Sequence, residues 1–195
     1  WGPAFRPEYA DLVRLRGLFP DAAMVALTAT ADAITRRDIA DKLFGEGAKI
    51  FVQGFDRPNI HLAVTFKQDW KQQMLAFLRR HDGESGIVYC LSRKKTEETA
   101  ALLLANGITA LPYHAGMEKW QRDANQDRFM REDAIVMVAT IAFGMGIDKP
   151  DVRFVLHTDL PGSMEAYYQE FGRAGRDGTP AQALMLYGLG DIRMR

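Results

Sequence analysis

"AIVMVATIAFGMGIDKPDVRFVLH", Ala134 to His157, contains two apolar runs joined by a glycine-rich loop. From Ala134 to Ala139 no polar residue interrupts alanine, isoleucine, valine and methionine, so a strand built from this stretch has no face to offer water. Strands buried on both faces belong to parallel sheets covered by helices. The neighbouring sequence agrees. Apolar runs of strand length alternate with amphipathic runs of helix length, the pattern of an α/β fold with helices on both faces of a parallel sheet. Strands are expected near "AAMVALTA", "KIFVQGF", "IHLAVTF", "SGIVYCLS", "ITALPYH", "AIVMVAT", "VRFVLHT" and "AQALMLYG". Helices are expected over Pro7 to Phe19, Ala31 to Leu43, Asp69 to Arg80, Lys94 to Ala105, Glu118 to Met130 and Ser163 to Ala174.

The 195 residues suffice for one large domain or two small ones. Glycine and proline in "GFDRPNI", Gly54 to Ile60, mark a boundary that divides residues 1–56 from 57–195. The first part has too few elements to enclose a core and reads as the tail of a domain. The second has ordinary domain size. Lysine plus arginine, 25, equals aspartate plus glutamate, 25, so no net positive field draws the chain to nucleic acid, and any binding must come from local arrangement. The single cysteine, Cys90, can form neither an internal disulfide nor a zinc site and suits a reducing cytoplasm. No run reaches the length of a membrane span. The start at tryptophan rather than methionine suggests a piece of a longer protein.

Ligands of open parallel sheets bind beyond the carboxyl ends of the strands, so the residues that follow each strand carry the functional reading. After "GIVYC" come Ser92, Arg93, Lys94 and Lys95, a hydroxyl and three cations at a helix start, suited either to an anion or to a solvated cap. After "ITALP" comes "YHAGM", in which His114 is either a phosphate donor or a packed turn residue. After "AIVMVA", Thr140 offers a hydroxyl, Gly144 and Gly146 free the backbone, and Asp148 is placed to accept from a ribose. The dinucleotide pattern G-x-G-x-x-G fails here, because Lys149 occupies the third glycine position; this counts against a nicotinamide enzyme. "YYQEFGRAGRDG", Tyr167 to Gly178, places Arg173 and Arg176 each directly after a glycine. Two guanidinium forks beside bare backbone suit a polyphosphate; a glycine-closed, solvated helix end is the alternative. Near the amino end, "LTATA" places Thr28 and Thr30 around Ala29, which by themselves are ordinary turn chemistry. "WGPAFRPEY" interleaves aromatics with Arg6, a composition that suits stacking on unpaired bases.

Taken in order, "WGPAFRPEY", "LTATA", "FDRPNI", "IVYCLSRK", "YHAGM", "VATIAFGMGIDKPDVRFVLH" and "YYQEFGRAGRDG" resemble the RecQ family of ATP-dependent DNA helicases nearly end to end. The resemblance implies a RecA-like fold, with residues 1–56 ending a first lobe and 57–195 forming the second, the helicase C-terminal lobe. It implies that Arg176 is the arginine finger toward the γ-phosphate, with Arg173 assisting, and that Gln169 links nucleotide to DNA. Gly146 and Asp148 would face the cofactor. Ser92, Arg93, His114 and Thr140 would grip the DNA backbone, Trp1, Phe5 and Arg6 would sense single-stranded DNA, and Thr28, Ala29 and Thr30 would couple hydrolysis to lobe movement. ATP and Mg2+ are the implied cofactors, and zinc is expected in the parent beyond this chain. Single-stranded and partly duplex DNA, and DNA-repair proteins, are the implied partners; the cytoplasm, at the bacterial nucleoid, is the implied location.

One departure from the family pattern is Phe171, where a smaller residue is more usual. A larger one is that no G-x-x-x-x-G-K-[ST] occurs and no acidic magnesium motif precedes Trp1. The polypeptide alone is therefore expected neither to hydrolyse ATP efficiently nor to unwind duplex DNA, while the parent does both with 3′ to 5′ polarity. The rival from another class is a RecA-like module that binds nucleic acid or docks a partner without turnover.

Overall fold

The computed structural model describes residues 7–28, 31–45, 47–52, 56–144 and 147–193. The chain divides into two compact units, Trp1–Phe55 and Asp56–Arg195. Within the first, a 3-10 helix, Pro7–Arg14, runs into the short helix α1, Leu15–Leu18. Helix α2, Ala33–Leu43, begins where the Asp32 carboxylate accepts from the Thr35 backbone N–H at 2.7 Å. A carboxylate there satisfies one of the amides that a helix start leaves without a partner. The strands expected at "AAMVALTA" and "KIFVQGF" are absent among the described residues. A parallel strand exists only through the ladder of a neighbour. Here the apolar side chains of those stretches stay in the open, with Leu27 91% and Phe51 89% exposed.

The second unit is a six-stranded parallel sheet. Its strands are β1 (Ile60–Phe66), β2 (Gly86–Tyr89), β3 (Ala110–Tyr113), β4 (Val136–Ala139), β5 (Phe154–His157) and β6 (Ala181–Tyr187), and they lie in the order β1-β6-β5-β2-β4-β3. Helices α3 (Trp70–Arg79), α4 (Arg93–Ala105), α5 (Lys119–Arg131) and α6 (Met164–Phe171) connect them, and α7 (Leu189–Arg193) follows β6. Every residue of β2, β4 and β5 is buried, as their uninterrupted apolar sequences demand.

Alternation along each strand divides the interior into two cores. Val88, Val136, Val138, Phe154 and Leu156 pack with Met74 and Leu78 of α3 and Leu103 of α4. Ile87, Tyr89, Met137, Ala139 and Val155 face the other way, onto Phe129 of α5 and Tyr167 and Phe171 of α6. Phe171, the departure from the family pattern, fits this core edge-on between Tyr167 and Tyr168. Helices α2 to α6 start within two residues of their expected positions, whereas the helix expected over Pro7 to Phe19 is 3-10 as far as Arg14 and α-helical only from Leu15, and α7 is not among the expected helices; α6 ends at Phe171, three residues before Ala174, because the next residues turn. No helix among the described residues is long and apolar enough to cross a membrane.

Candidate functional site

The chain leaves β2 toward β3 on one side and leaves β5 toward β6 on the other, so the strand order reverses between these two neighbours. At their carboxyl ends, the crevice where open sheets commonly bind ligands, the protein supplies its own charges. The Asp159 carboxylate accepts from Lys95 Nζ at 2.7 Å, Lys67 Nζ at 3.3 Å and the Leu91 backbone N–H at 3.1 Å. Lys67 also donates to Asp191 of α7 at 2.8 Å, which ties the helix after β6 to the end of β1. Burial works to raise the Asp159 pKa, but the two lysines and the amide outweigh it and hold the carboxyl below its ordinary value. Lys95 is thus a structural cation rather than an open anion site.

Its neighbours on α4 are placed differently. Ser92 caps the helix, accepting from the Lys95 N–H at 3.2 Å. The exposed Arg93 lies over Gly116, where an added Cβ would come within 2.9 Å of its Nη1, so "LSRK" and "YHAGM" meet at the carboxyl edge of the sheet. His114 departs from the expectation of an exposed donor. It is 3% exposed, its Nε2 is 3.0 Å from Glu97, and its Nδ1 is buried without a partner, because the end of β3 carries the side chain under α4 rather than outward. Thr140 is likewise nearly buried, and its hydroxyl accepts from the Ala142 N–H at 3.4 Å.

The arginine pair lies elsewhere. After α6 the chain turns at the amino end of β5, where the Gly175 N–H donates to the Val152 carbonyl at 2.8 Å. Gly175 has φ +55°, and an added Cβ would meet Asn59 Nδ2 at 2.5 Å and the Thr179 carbonyl at 2.8 Å, so both conformation and space require glycine. From this turn Arg173 reaches the loop after β4 and donates to the Gly144 carbonyl. A side chain at position 144 would strike the guanidinium, with a Cβ 2.5 Å from Nη2. Arg176 donates to the Ile147 carbonyl at 2.8 Å and to the Asp148 carboxylate at 2.6 Å. The segment after β4 thus starts at the carboxyl edge, where the Thr140 N–H donates to the Tyr113 carbonyl at 3.2 Å, and its Gly144, Ile147 and Asp148 accept from the two arginines.

Several groups support that junction. Tyr89 donates its hydroxyl to the Phe143 carbonyl at 3.0 Å, and burial pushes the phenol well above its ordinary range despite nearby Arg173, so it remains a donor. Its ring stacks on His157, whose Nε2 lies 2.7 Å from the buried Glu170 of α6. Arg57 and Asn59, which the sequence showed as part of a boundary and of the "FDRPNI" motif without a role of their own, donate to carbonyls of the arginine turn. Their partners lie 115 and 116 residues further along the chain, so sequence spacing held no signal of them.

Arg153 closes the same turn, donating to Asp177 at 2.7 Å and to the Thr179 hydroxyl. Hydrogen bonds from Arg153 lead the causes that lower the Asp177 pKa to about 2, with Thr179 contributing. The sign is that of a depressed carboxyl: its contribution to stability is complete above the unfolded value near 4 and disappears as pH falls toward 2. Between about pH 4 and pH 2, thermal melting of the chain should fall more steeply than that of Asp177→Asn. Equal slopes would mean that the pair contributes nothing to folding.

Gln169 lies exposed on α6, and Thr28 lies in an irregular stretch of the first unit. Trp1, Phe5, Arg6, Ala29, Thr30 and Gly146 fall outside the described residues.

The helix that crosses from β5 to β6 thus delivers two arginines onto the glycine loop between β4 and β5. The chain belongs to the helicase conserved C-terminal domain family, whose model matches residues 66–178. It is 50% identical over 187 residues, 96% of its length, to the ATP-dependent DNA helicase RecQ of Pasteurella multocida, and 45% identical over 98% of its length to the ATP-dependent DNA helicase hus2/rqh1 of Schizosaccharomyces pombe. The RecQ resemblance read from the motifs is thereby borne out. The chain spans 30% of the first relative's length and 14% of the second's. Among solved structures, the E. coli DEAD-box protein SrmB, seen bound to the regulator of ribonuclease activity A, matches 70% of the chain and 86% of its own at 26% identity with a TM-score of 0.56. The fold is RecA-like α/β, as expected.

Proposed function

We propose that the chain is the arginine-bearing part of a 3′ to 5′ ATP-dependent DNA helicase, residues 57–195 being its second lobe and residues 1–56 the end of its first. The observation that carries this reading is the pairing of Arg176 with Asp148. Arg176 is only about a third exposed and its backbone turn is fixed, while Asp148 is 83% exposed at the loop surface. Exposed ion pairs contribute little, on the order of 0–1 kcal/mol. An incoming phosphate chain can therefore displace the carboxylate cheaply and meet a guanidinium already aimed. Arg173, by contrast, is engaged inside the loop and acts by holding it.

In this reading ATP and Mg2+ rest mainly on the first lobe, and Arg176 completes the site when the lobes close, stabilising charge on the transferred phosphoryl group. Ser92, Arg93 and the backbone around Gly116 form the edge that follows the DNA strand, with Thr140 beginning the loop that joins this edge to the arginines. His114, buried under α4, supports that edge through Glu97 rather than touching DNA. The same reading implies a parent that works at the nucleoid in the cytoplasm beside DNA-repair proteins, and a polypeptide that, without the first lobe's phosphate loop, does not turn over ATP by itself.

Two measurements test it. Full-length protein should show ATP turnover stimulated by single-stranded DNA; equal turnover with and without DNA would leave only the non-catalytic module. The isolated chain, with its balanced charge, should bind single-stranded DNA weakly. Its affinity by fluorescence anisotropy should fall roughly tenfold between about 50 and about 200 mM salt, the slope that two or three phosphate contacts produce. Tight, salt-independent binding would contradict a grip through phosphates.

A further inference from the structure

The residues that enter the second unit are built into the turn that carries the arginines. Arg57, just past the unit boundary at Phe55, donates from Nη1 to the Gly172 carbonyl at 2.8 Å and from Nη2 to the Ala174 and Gly175 carbonyls at 2.7 and 3.1 Å. These carbonyls follow the end of α6, where the helix dipole favours a cation and where, of the three, Gly175 accepts a backbone donor, the Gly178 N–H at 3.0 Å. The Asn59 amide bridges the Gly175 and Thr179 carbonyls at 2.8 and 2.9 Å. Its nitrogen occupies the space that a side chain at Gly175 would take. The turn between Arg173 and Arg176 thus has two supports. The loop after β4 holds the arginine side chains, and the segment Arg57–Asn59 holds the backbone beneath them.

We propose that Arg57 and Asn59 are positioning residues for Arg176: they fix the backbone turn so that the guanidinium meets the phosphate chain. The inference rests on the reading of Arg176 given above. A fork that satisfies three carbonyls at once has geometry that lysine lacks. Arg57, Asn59 and the arginine turn therefore form one hydrogen-bonded piece at the start of the second unit.

The test uses full-length protein and DNA-stimulated ATP turnover. Arg57→Ala should lower kcat about 10- to 100-fold while KM for ATP changes less than about threefold, the split expected when an interaction made only in the transition state is lost. Arg57→Lys should fall between, because one ammonium replaces the charge but not the fork. Amide exchange over residues 172–179 should rise in both variants while β2 and β4 stay protected; this readout also applies to Asn59→Ala should Arg57→Ala fold poorly. In an Arg176→Lys background, adding Arg57→Ala should cost little more, since both act through one group. Wild-type kcat in Arg57→Ala, or losses that simply multiply in the double variant, would overturn the proposal. Failure of the underlying reading has a separate signature: Arg176→Ala would then itself retain turnover, whatever Arg57 does.

Discussion

Arg176→Ala in full-length protein is expected to lower DNA-stimulated ATP turnover by about 10³-fold or more, with nucleotide binding retained. The expectation follows from where the side chain stands. Its aliphatic stem rises from a turn fixed by Gly175, Val152 and Arg57, and its guanidinium has one backbone partner and one exposed carboxylate partner. An arginine supplied to a transferring phosphoryl group acts by charge at fixed geometry and contributes about 10³ to 10⁵ in rate. Removing it takes nothing from the ground-state grip on ATP, which the other lobe provides in this reading. Arg176→Lys should recover part of the rate, because charge returns without the planar fork. Steady-state turnover beside binding of a fluorescent nucleotide reads both quantities. Retained turnover in Arg176→Ala would make the pairing with Asp148 purely architectural. A melting temperature far below wild type would likewise show that the side chain holds the fold, which its partial exposure and weak ion pair do not predict.

The second large effect concerns folding. Gly86 opens the central strand β2 and pairs in register with Phe154 of β5. The Phe154 ring lies directly over it, and a Cβ at position 86 would overlap the ring. The ring has nowhere to go. It is fully buried, meets Phe77 edge-on at 5.8 Å and lies 4.9 Å from His81. His81 is itself held by Glu84 at 2.6 Å and Gln182 at 3.1 Å. Gly86→Ala should therefore destabilise by about 3 kcal/mol, the upper part of the overpacking range. Trimming the ring should be costly in the native background and favourable once alanine is present, so Phe154→Leu should partly restore Gly86→Ala. Urea unfolding of the four proteins of this cycle gives the coupling directly. Additive losses would show that strand and ring accommodate a methyl without conflict.

Much of the second unit was legible because the causes are local. Uninterrupted apolar runs in β2, β4 and β5 can be satisfied only between two layers of helices, and Ser92, Asp69 and Ser163 each cap the helix that follows them through a backbone N–H. At Gly175 both a positive φ and crowding forbid a side chain, but the group that fills the space there is Asn59 of this same chain. What failed in the first unit was the step from apolar composition to strand. "AAMVALTA" and "KIFVQGF" have the residues of buried strands, but a strand is completed by a partner, and none pairs with them among the described residues.

The amino-acid sequence by itself determined the layered α/β class, the helix starts and the two arginines beside bare backbone, because strand burial, capping and glycine geometry act over a few neighbouring residues. Only the tertiary structure decided that His114 turns inward to Glu97, that the switch crevice is filled by Asp159, Lys67 and Lys95, and that Arg57 and Asn59 lie beneath the arginine turn. Those outcomes depend on which strand ends the sheet order brings together, and hydrogen bonds between residues more than a hundred positions apart leave no periodicity in the chain to read.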